Sequence, residues 1–201
     1  KGQSASTLEE AYRAGCRHFG ENRLQEALAK MSQLHLPDCR WDFIGSIQKN
    51  KAAKIAAAFS LIHSVDTFDL AEKISQVSLE KGTTTAILLQ VNVSKEASKH
   101  GLSPDEWERN LEKVQNLPHL CIKGLMTLAP FTTDRESIRS CFRKTADLLR
   151  VWQKKMQEPL LFQELSMGMS GDFEIAIQEG ATLLRIGSAL FHPPGSVLPI
   201  P

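Results

Sequence analysis

The sequence predicts an α/β fold, a single (β/α)8 barrel, and three observations carry that expectation. Strand-like apolar runs alternate with amphipathic helical stretches along the 201 residues, an order that calls for parallel strands joined by crossover helices. The chain is 42 % hydrophobic and 23 % charged, enough for one filled core and short for two independent domains. Two turns rich in glycine and serine, at residues 166–171 and 187–188, each follow one of the last two strand-like runs. An open doubly wound sheet places its phosphate-binding glycines after its first strand, whereas a barrel often binds phosphate after strands seven and eight. The position of these turns favours the barrel. Only seven strand-like runs are present, so that architecture expects its first strand to precede Lys1. Without it the barrel would have an open edge.

The elements follow in order. Ser6-Thr-Leu-Glu9 reads as a capping box that opens a helix stopping near Gly15. A strand is expected at residues 18–22, then a helix over "RLQEALAKMSQL", where Leu24, Ala27, Leu28, Met31 and Leu34 recur at helical spacing. A short run at 41–45, a helix over "NKAAKIAAAF" and a strand in "SLIHSVD" come next. The helix "DLAEKISQVSLEKG" closes at Gly82, and residues 86–93 read as a strand buried on both faces. Ser103-Pro-Asp-Glu106 combines a cap, a proline at the first helical position and a capping glutamate, opening a helix that ends near Pro118. A strand at 122–128, a long helix at 135–157, a strand ending in Ser166, the short helix "DFEIAIQEG" and a last strand at 182–187 complete the pattern. The barrel is expected to span residues 1–192, with residues 193–201 as a proline-rich tail.

Composition excludes several classes. A net charge of +1, with lysine and arginine spread along the chain, leaves no basic footprint for nucleic acid or an anionic membrane. Cys16, Cys39, Cys121 and Cys141 stand singly, without the spacing of a disulfide framework or a zinc site, and read as free thiols in a reducing compartment. No apolar run is long enough to span a membrane, and a cytoplasmic protein is expected. The helical faces carry mixed charge without heptads, so a monomer is expected.

The glycine and serine turns raise the question of function. After a strand, such a turn lets backbone amides and hydroxyls converge on an anion, and the next helix adds its positive end. Ser166, Gly168, Ser170 and Gly171 lead into "DFEIAI", while Gly187 and Ser188 end the neighbouring strand. Together they can form one phosphate cup. The competing reading is that the glycines permit tight turns and close helix–strand packing. Position alone leaves the two level.

The runs "HFGENRLQEAL", "WDFIGSIQKNK", "IHSVDTFDLAEKI", "LLQVNVSKEASKHGL", "IKGLMTL", "LSMGMSGDFEIAI" and "LLRIGSALF" resemble the successive signatures of the pyridoxal phosphate homeostasis proteins, the YggS/PROSC family, in that family's order. The resemblance implies a barrel of the alanine racemase N-terminal type that carries pyridoxal 5′-phosphate (PLP) as a Schiff base on a lysine. That role falls to Lys1, eleven residues before Tyr12 in "EEAYRAG"; otherwise Lys1 would read as a solvated terminal lysine. By the same resemblance Asn22 hydrogen-bonds the ring's phenolic oxygen, and Arg185 approaches the pyridine nitrogen. Being cationic, Arg185 would keep that nitrogen unprotonated and weaken the ring as an electron sink. Ser166, Met167, Gly168, Gly187 and Ser188 form the cup, with Ser170 as a helix cap or further donor. His63 and Met126 either line the ring pocket or pack in the core. The lysines of "QKNK" and "SKEASKH" read as solvated faces. Asp42 and Ser46 stand where the family often has histidines.

The implied activity is that of a non-catalytic carrier and regulator. It would bind PLP reversibly and act in vitamin B6 and amino-acid or 2-oxo-acid balance, with PLP-dependent apoenzymes as candidate partners. Two alternatives compete. A PLP-dependent amino-acid racemase needs a second acid/base group, usually a tyrosine from another domain, and Tyr12 on the first helix is the only tyrosine here. A sugar-phosphate isomerase or lyase without PLP needs a base on another strand end, where Glu21 is the obvious carboxylate.

Overall fold

The computed structural model describes residues 2–94, 96 and 100–191. Seven strands form one sheet in the order β1-β2-β3-β4-β5-β6-β7, all parallel: β1 His18–Glu21, β2 Arg40–Phe43, β3 Leu61–Val65, β4 Thr85–Gln90, β5 Leu120–Met126, β6 Glu164–Met169 and β7 Leu183–Arg185. Helix α1 (Ala5–Arg13) precedes β1. Helices α2 (Leu24–Gln33), α3 (Ala52–Ala58), α4 (Phe68–Glu80), α5 (Pro104–Gln115), α6 (Arg135–Gln153) and α7 (Phe173–Gln178) connect successive strands, and α8 (Ser188–Phe191) follows β7. The predicted alternation is therefore present throughout. Among the described residues β7 and β1 do not pair, so the nearly closed barrel keeps a seam between them.

Curling of the sheet is visible in contacts that a flat ladder forbids. His63 on β3 and Ser166 on β6 are three strands apart in the sheet, yet their side chains meet at 2.8 Å. Side chains alternate across each strand, so two apolar layers result. The outer layer joins Phe43, Ile62, Ile87, Leu125, Leu165 and Met167 to helix residues such as Ile74, Trp107, Phe142 and Ile175. The inner one is small: Leu61, Leu88 and Met126 fill part of the lumen, with Ala86, Leu128 and Leu183 against them.

Local rules explain most boundaries, and several differ from expectation. The first helix is capped by Ser4, whose hydroxyl accepts from the Thr7 amide; Ser6 lies inside the first turn, bonded to Ser4. Ser4 has the extended backbone that a cap requires (φ −71°, ψ 163°), which displaces the expected cap by two positions. The Ser103/Glu106 capping box forms as predicted, with Pro104 at the first helical position. Helix α6 stops at Gln153, short of the predicted 157, and the Gln153 side-chain amide reaches forward to donate to the carbonyls of Pro159 and Phe162. Strand β4 ends at Gln90, after which Val91 bridges Leu102 instead of continuing to Val93. Helix α8 was not anticipated by the hydrophobic pattern; at four residues it is too short to show a period.

Candidate functional site at the mouth of the barrel

The lumen holds a file of polar side chains that crosses it just below the carboxyl ends of the strands. Arg185 on β7 donates from Nη1 to Ser166 Oγ at 2.6 Å and from Nη2 to the Thr127 carbonyl at 2.9 Å. Ser166 Oγ lies 2.8 Å from His63 Nδ1; His63 Nε2 faces Asp42 Oδ2 at 3.4 Å; Asp42 Oδ1 accepts from Arg40 Nε at 2.9 Å. Ser166, His63 and Asp42 are 0 %, 3 % and 6 % exposed, so water does not satisfy them. Burial holds the His63 imidazole below its ordinary range, outweighing the nearby Asp42 carboxylate. Arg185 is half-buried and has no carboxylate within ion-pair distance among the described residues. Desolvation pushes its guanidinium down to about 10, opposed by the more distant Asp172. It remains a cation, one without a counter-ion in contact.

Above this file, the loop after β6 meets the start of α8. Ser170 Oγ accepts from the amides of Gly187 and Ala189, each at 3.2 Å, and Asp172 Oδ1 accepts from the Met169 amide at 2.6 Å. The glycines divide by role. Gly168 has φ +92°, and a Cβ there would lie 2.5 Å from the Ala176 Cβ, so this glycine seats α7 on β6. Gly171 and Gly187 meet nothing within 4 Å and have no such dihedral; packing does not explain them.

The structure brings together Ser166 with Arg185, and Ser170 with Gly187. Ser188 starts α8 beside them. Met167 is buried in the outer layer, so its side chain points to the helices and only its backbone faces the loop. Met126 packs in the lumen with Leu61 and Leu88. Asn22 follows β1, half-buried, with no side-chain hydrogen bond among the described residues. Its backbone is held by Gly45, where a Cβ would sit 2.2 Å from the Asn22 carbonyl oxygen. Lys1, the predicted attachment point, lies outside the described residues, as do Lys95, Lys99, His192 and the predicted tail 193–201. A cavity of about 180 Å³ opens by Ser170, Gly171 and Asp172. A larger one, about 340 Å³, lies at the opposite end among Arg40, Lys123 and Glu164, at the amino ends of the strands, where barrels carry stability and not chemistry.

With this geometry in place, the comparisons are specific. Residues 2–193 match the family described as alanine racemase, N-terminal domain. The pyridoxal phosphate homeostasis protein of Pseudomonas aeruginosa is 42 % identical over 191 residues, spanning 95 % of this chain and 80 % of that protein. The chain belongs to the pyridoxal phosphate homeostasis protein family. Another relative of that name, from Aquifex aeolicus, is 39 % identical over 184 residues, covering 92 % of this chain and 80 % of its own. Among solved structures, PipY of Synechococcus elongatus PCC7942 with PLP bound superposes with a TM-score of 0.89 at 38 % identity, over 95 % of this chain and 89 % of that one.

In this member of the pyridoxal phosphate homeostasis family, the carboxylates of β1 and β2 face opposite ways. Glu21 pairs in register with Phe43 of the outer layer and binds Lys30 of α2 at 2.6 Å, so it faces away from the lumen. Asp42, one position from Phe43, faces in. Alternation along "RWDF" was the available signal: with Trp41 and Phe43 apolar, Asp42 had to point to the other face. Thr127 and the Ala189 amide left no comparable mark, because their part is played by backbone groups.

Proposed function

We propose that the chain binds PLP at the mouth of this barrel and serves as a carrier and regulator in cytoplasmic PLP homeostasis, not as an enzyme. The observation that carries the reading is Arg185, a lumen cation without a carboxylate in contact, set below a loop of hydroxyls and amides. The residues fit the group. Gly187 and Ala189 offer amides that Ser170 now occupies, Ser188 offers a hydroxyl, Ser166 holds Arg185 beneath them, Gly168 brings α7 close, and the backbone of Met167 joins the same turn. The Asn22 amide can donate to an oxygen without adding charge. When bound, PLP supplies an aldehyde that a lysine amine can capture and an aromatic ring able to withdraw electrons. Lys1 would hold the group covalently; Arg185 would face the ring nitrogen as a donor and keep a proton off it. Without a protonated ring the site favours retention over catalysis. The names and bound ligand of the relatives support this reading.

Tyr12 and Glu21 count against the competing readings. The Tyr12 hydroxyl donates to the Pro37 carbonyl and its ring lies 4.1 Å under the Arg17 guanidinium, before β1 begins, so it is engaged at the amino end of the strands. Glu21 faces α2. The test is to mix the full-length protein with PLP, record the near-ultraviolet and visible spectrum, reduce with borohydride and map the labelled peptide. A bound-cofactor band and label on Lys1 are expected, with no racemisation of a panel of amino acids. A sample that stays colourless in excess PLP, or label on another amine, overturns the proposal.

A further inference from the structure

Hydrogen-bond bookkeeping in the lumen admits one arrangement of protons. Arginine has donors only, so the 2.6 Å contact makes Ser166 Oγ an acceptor from Arg185. The single Ser166 hydrogen must then go to His63 Nδ1, 2.8 Å away, which makes Nδ1 the unprotonated ring nitrogen. The ring proton therefore sits on Nε2 and faces Asp42 Oδ2 at 3.4 Å, the loosest link, while Asp42 Oδ1 takes the Arg40 hydrogen. The other neutral tautomer would set a lone pair against the Asp42 carboxylate and leave the Ser166 hydrogen without an acceptor. The doubly protonated ring would orphan the same hydrogen in a group that is fully buried.

We infer that Asp42 and His63 are positioning residues: through Ser166 they fix the Arg185 guanidinium in the lumen as a donor of set direction. Every bond in the file then points one way, from Arg185 to Asp42. Asp42 supplies the negative end that two flanking arginines need, without touching Arg185. A carboxylate in direct contact with Arg185 would compete with a ligand for its donors. One placed two side chains away steadies the cation and leaves the remaining donors free. The inference rests on the reading of this mouth as the PLP site, and its first test does not need PLP.

In the full-length protein without cofactor, nitrogen-15 NMR of the histidine rings should show His63 as one tautomer, with Nε2 protonated and Nδ1 bare at neutral pH. Asp42→Asn offers one acceptor to two donors, Arg40 and His63, and should abolish the single tautomer. PLP titration by absorbance should then give binding about tenfold weaker, the loss of one charge-assisted bond, with an altered pH dependence of the bound spectrum. Ser166→Ala cuts the file from the other side and should weaken PLP binding similarly while leaving the His63–Asp42 contact, which serves if the Asp42 variant does not fold. A wild-type ring protonated on Nδ1, or on both nitrogens, overturns the inference. So does either folded variant with wild-type affinity and spectrum. A wild type that refuses PLP but shows the Nε2 tautomer overturns the proposed function and leaves the proton arrangement standing.

Discussion

Replacing Gly168 by alanine tests whether the loop over the lumen is held by close packing. The new Cβ would lie 2.5 Å from the Ala176 Cβ, 3.1 Å from Leu184 Cδ2 and 3.2 Å from the Phe173 Cα, with φ at +92°. Two costs follow. A residue with a Cβ held at such a dihedral costs about 1–3 kcal/mol. Forcing a methyl group into a filled contact costs about 1–3 kcal/mol more, because α7 must slide off β6. Together they amount to about 4 kcal/mol, and at roughly 2–4 °C per kcal/mol for a domain of this size the melting temperature should fall by about 8–16 °C. Gly187→Ala is the matched control for stability: it has open space and an ordinary dihedral, and should stay within about 0.5 kcal/mol of wild type. Calorimetry on both variants decides the matter. A Gly168 variant that melts within about 2 °C of wild type, or a Gly187 variant that melts as low as the Gly168 one, would refute the division of roles drawn from the packing.

Three further outcomes are expected. The folded barrel holds the His63 pKa below 6.5 by burial, whereas the unfolded chain titrates near that value. As pH falls through 6.5 the unfolded state therefore binds a proton that the folded one refuses, and stability drops. The urea midpoint should be lower at about pH 5.5 than at about pH 7.5, and His63→Gln should flatten the difference. Asn22→Ala removes a half-buried amide with no partner among the described residues, so stability should change by less than about 0.5 kcal/mol while PLP affinity falls about tenfold in a spectroscopic titration. Lys30→Met strands the Glu21 carboxylate, whose side chain is 1 % exposed and whose Oε2 already lacks a partner among the described residues, and should cost about 3–5 kcal/mol in chemical denaturation; adding Glu21→Met should recover most of it.

Much of this protein was legible as text. Periodicity alone marked seven strands and the helices between them, since a parallel strand covered on both faces must be apolar along its length and an amphipathic helix must repeat every three to four residues. The cap at Ser103 and the stop at Gly82 are local chemistry, readable a few residues at a time. The glycine and serine turns at 166–171 and 187–188 announced a loop pair, and the resemblance pointed to the family in which the chain belongs. Sequence could not say which glycine packs and which is open. That depends on α7 lying on β6 at Ala176, a contact made only when the sheet curls. Nor could it place Ser166, which reads as the edge of a turn but is a buried bridge between His63 and Arg185. The two serve it from strands β3 and β7, 103 and 19 residues away along the chain. Secondary structure follows from short-range sterics and hydrophobic period, so the chain's own order contains it. The lumen file joins β2, β3, β6 and β7, and its proton order exists only where burial removes water as an alternative partner. Tertiary structure alone decided it.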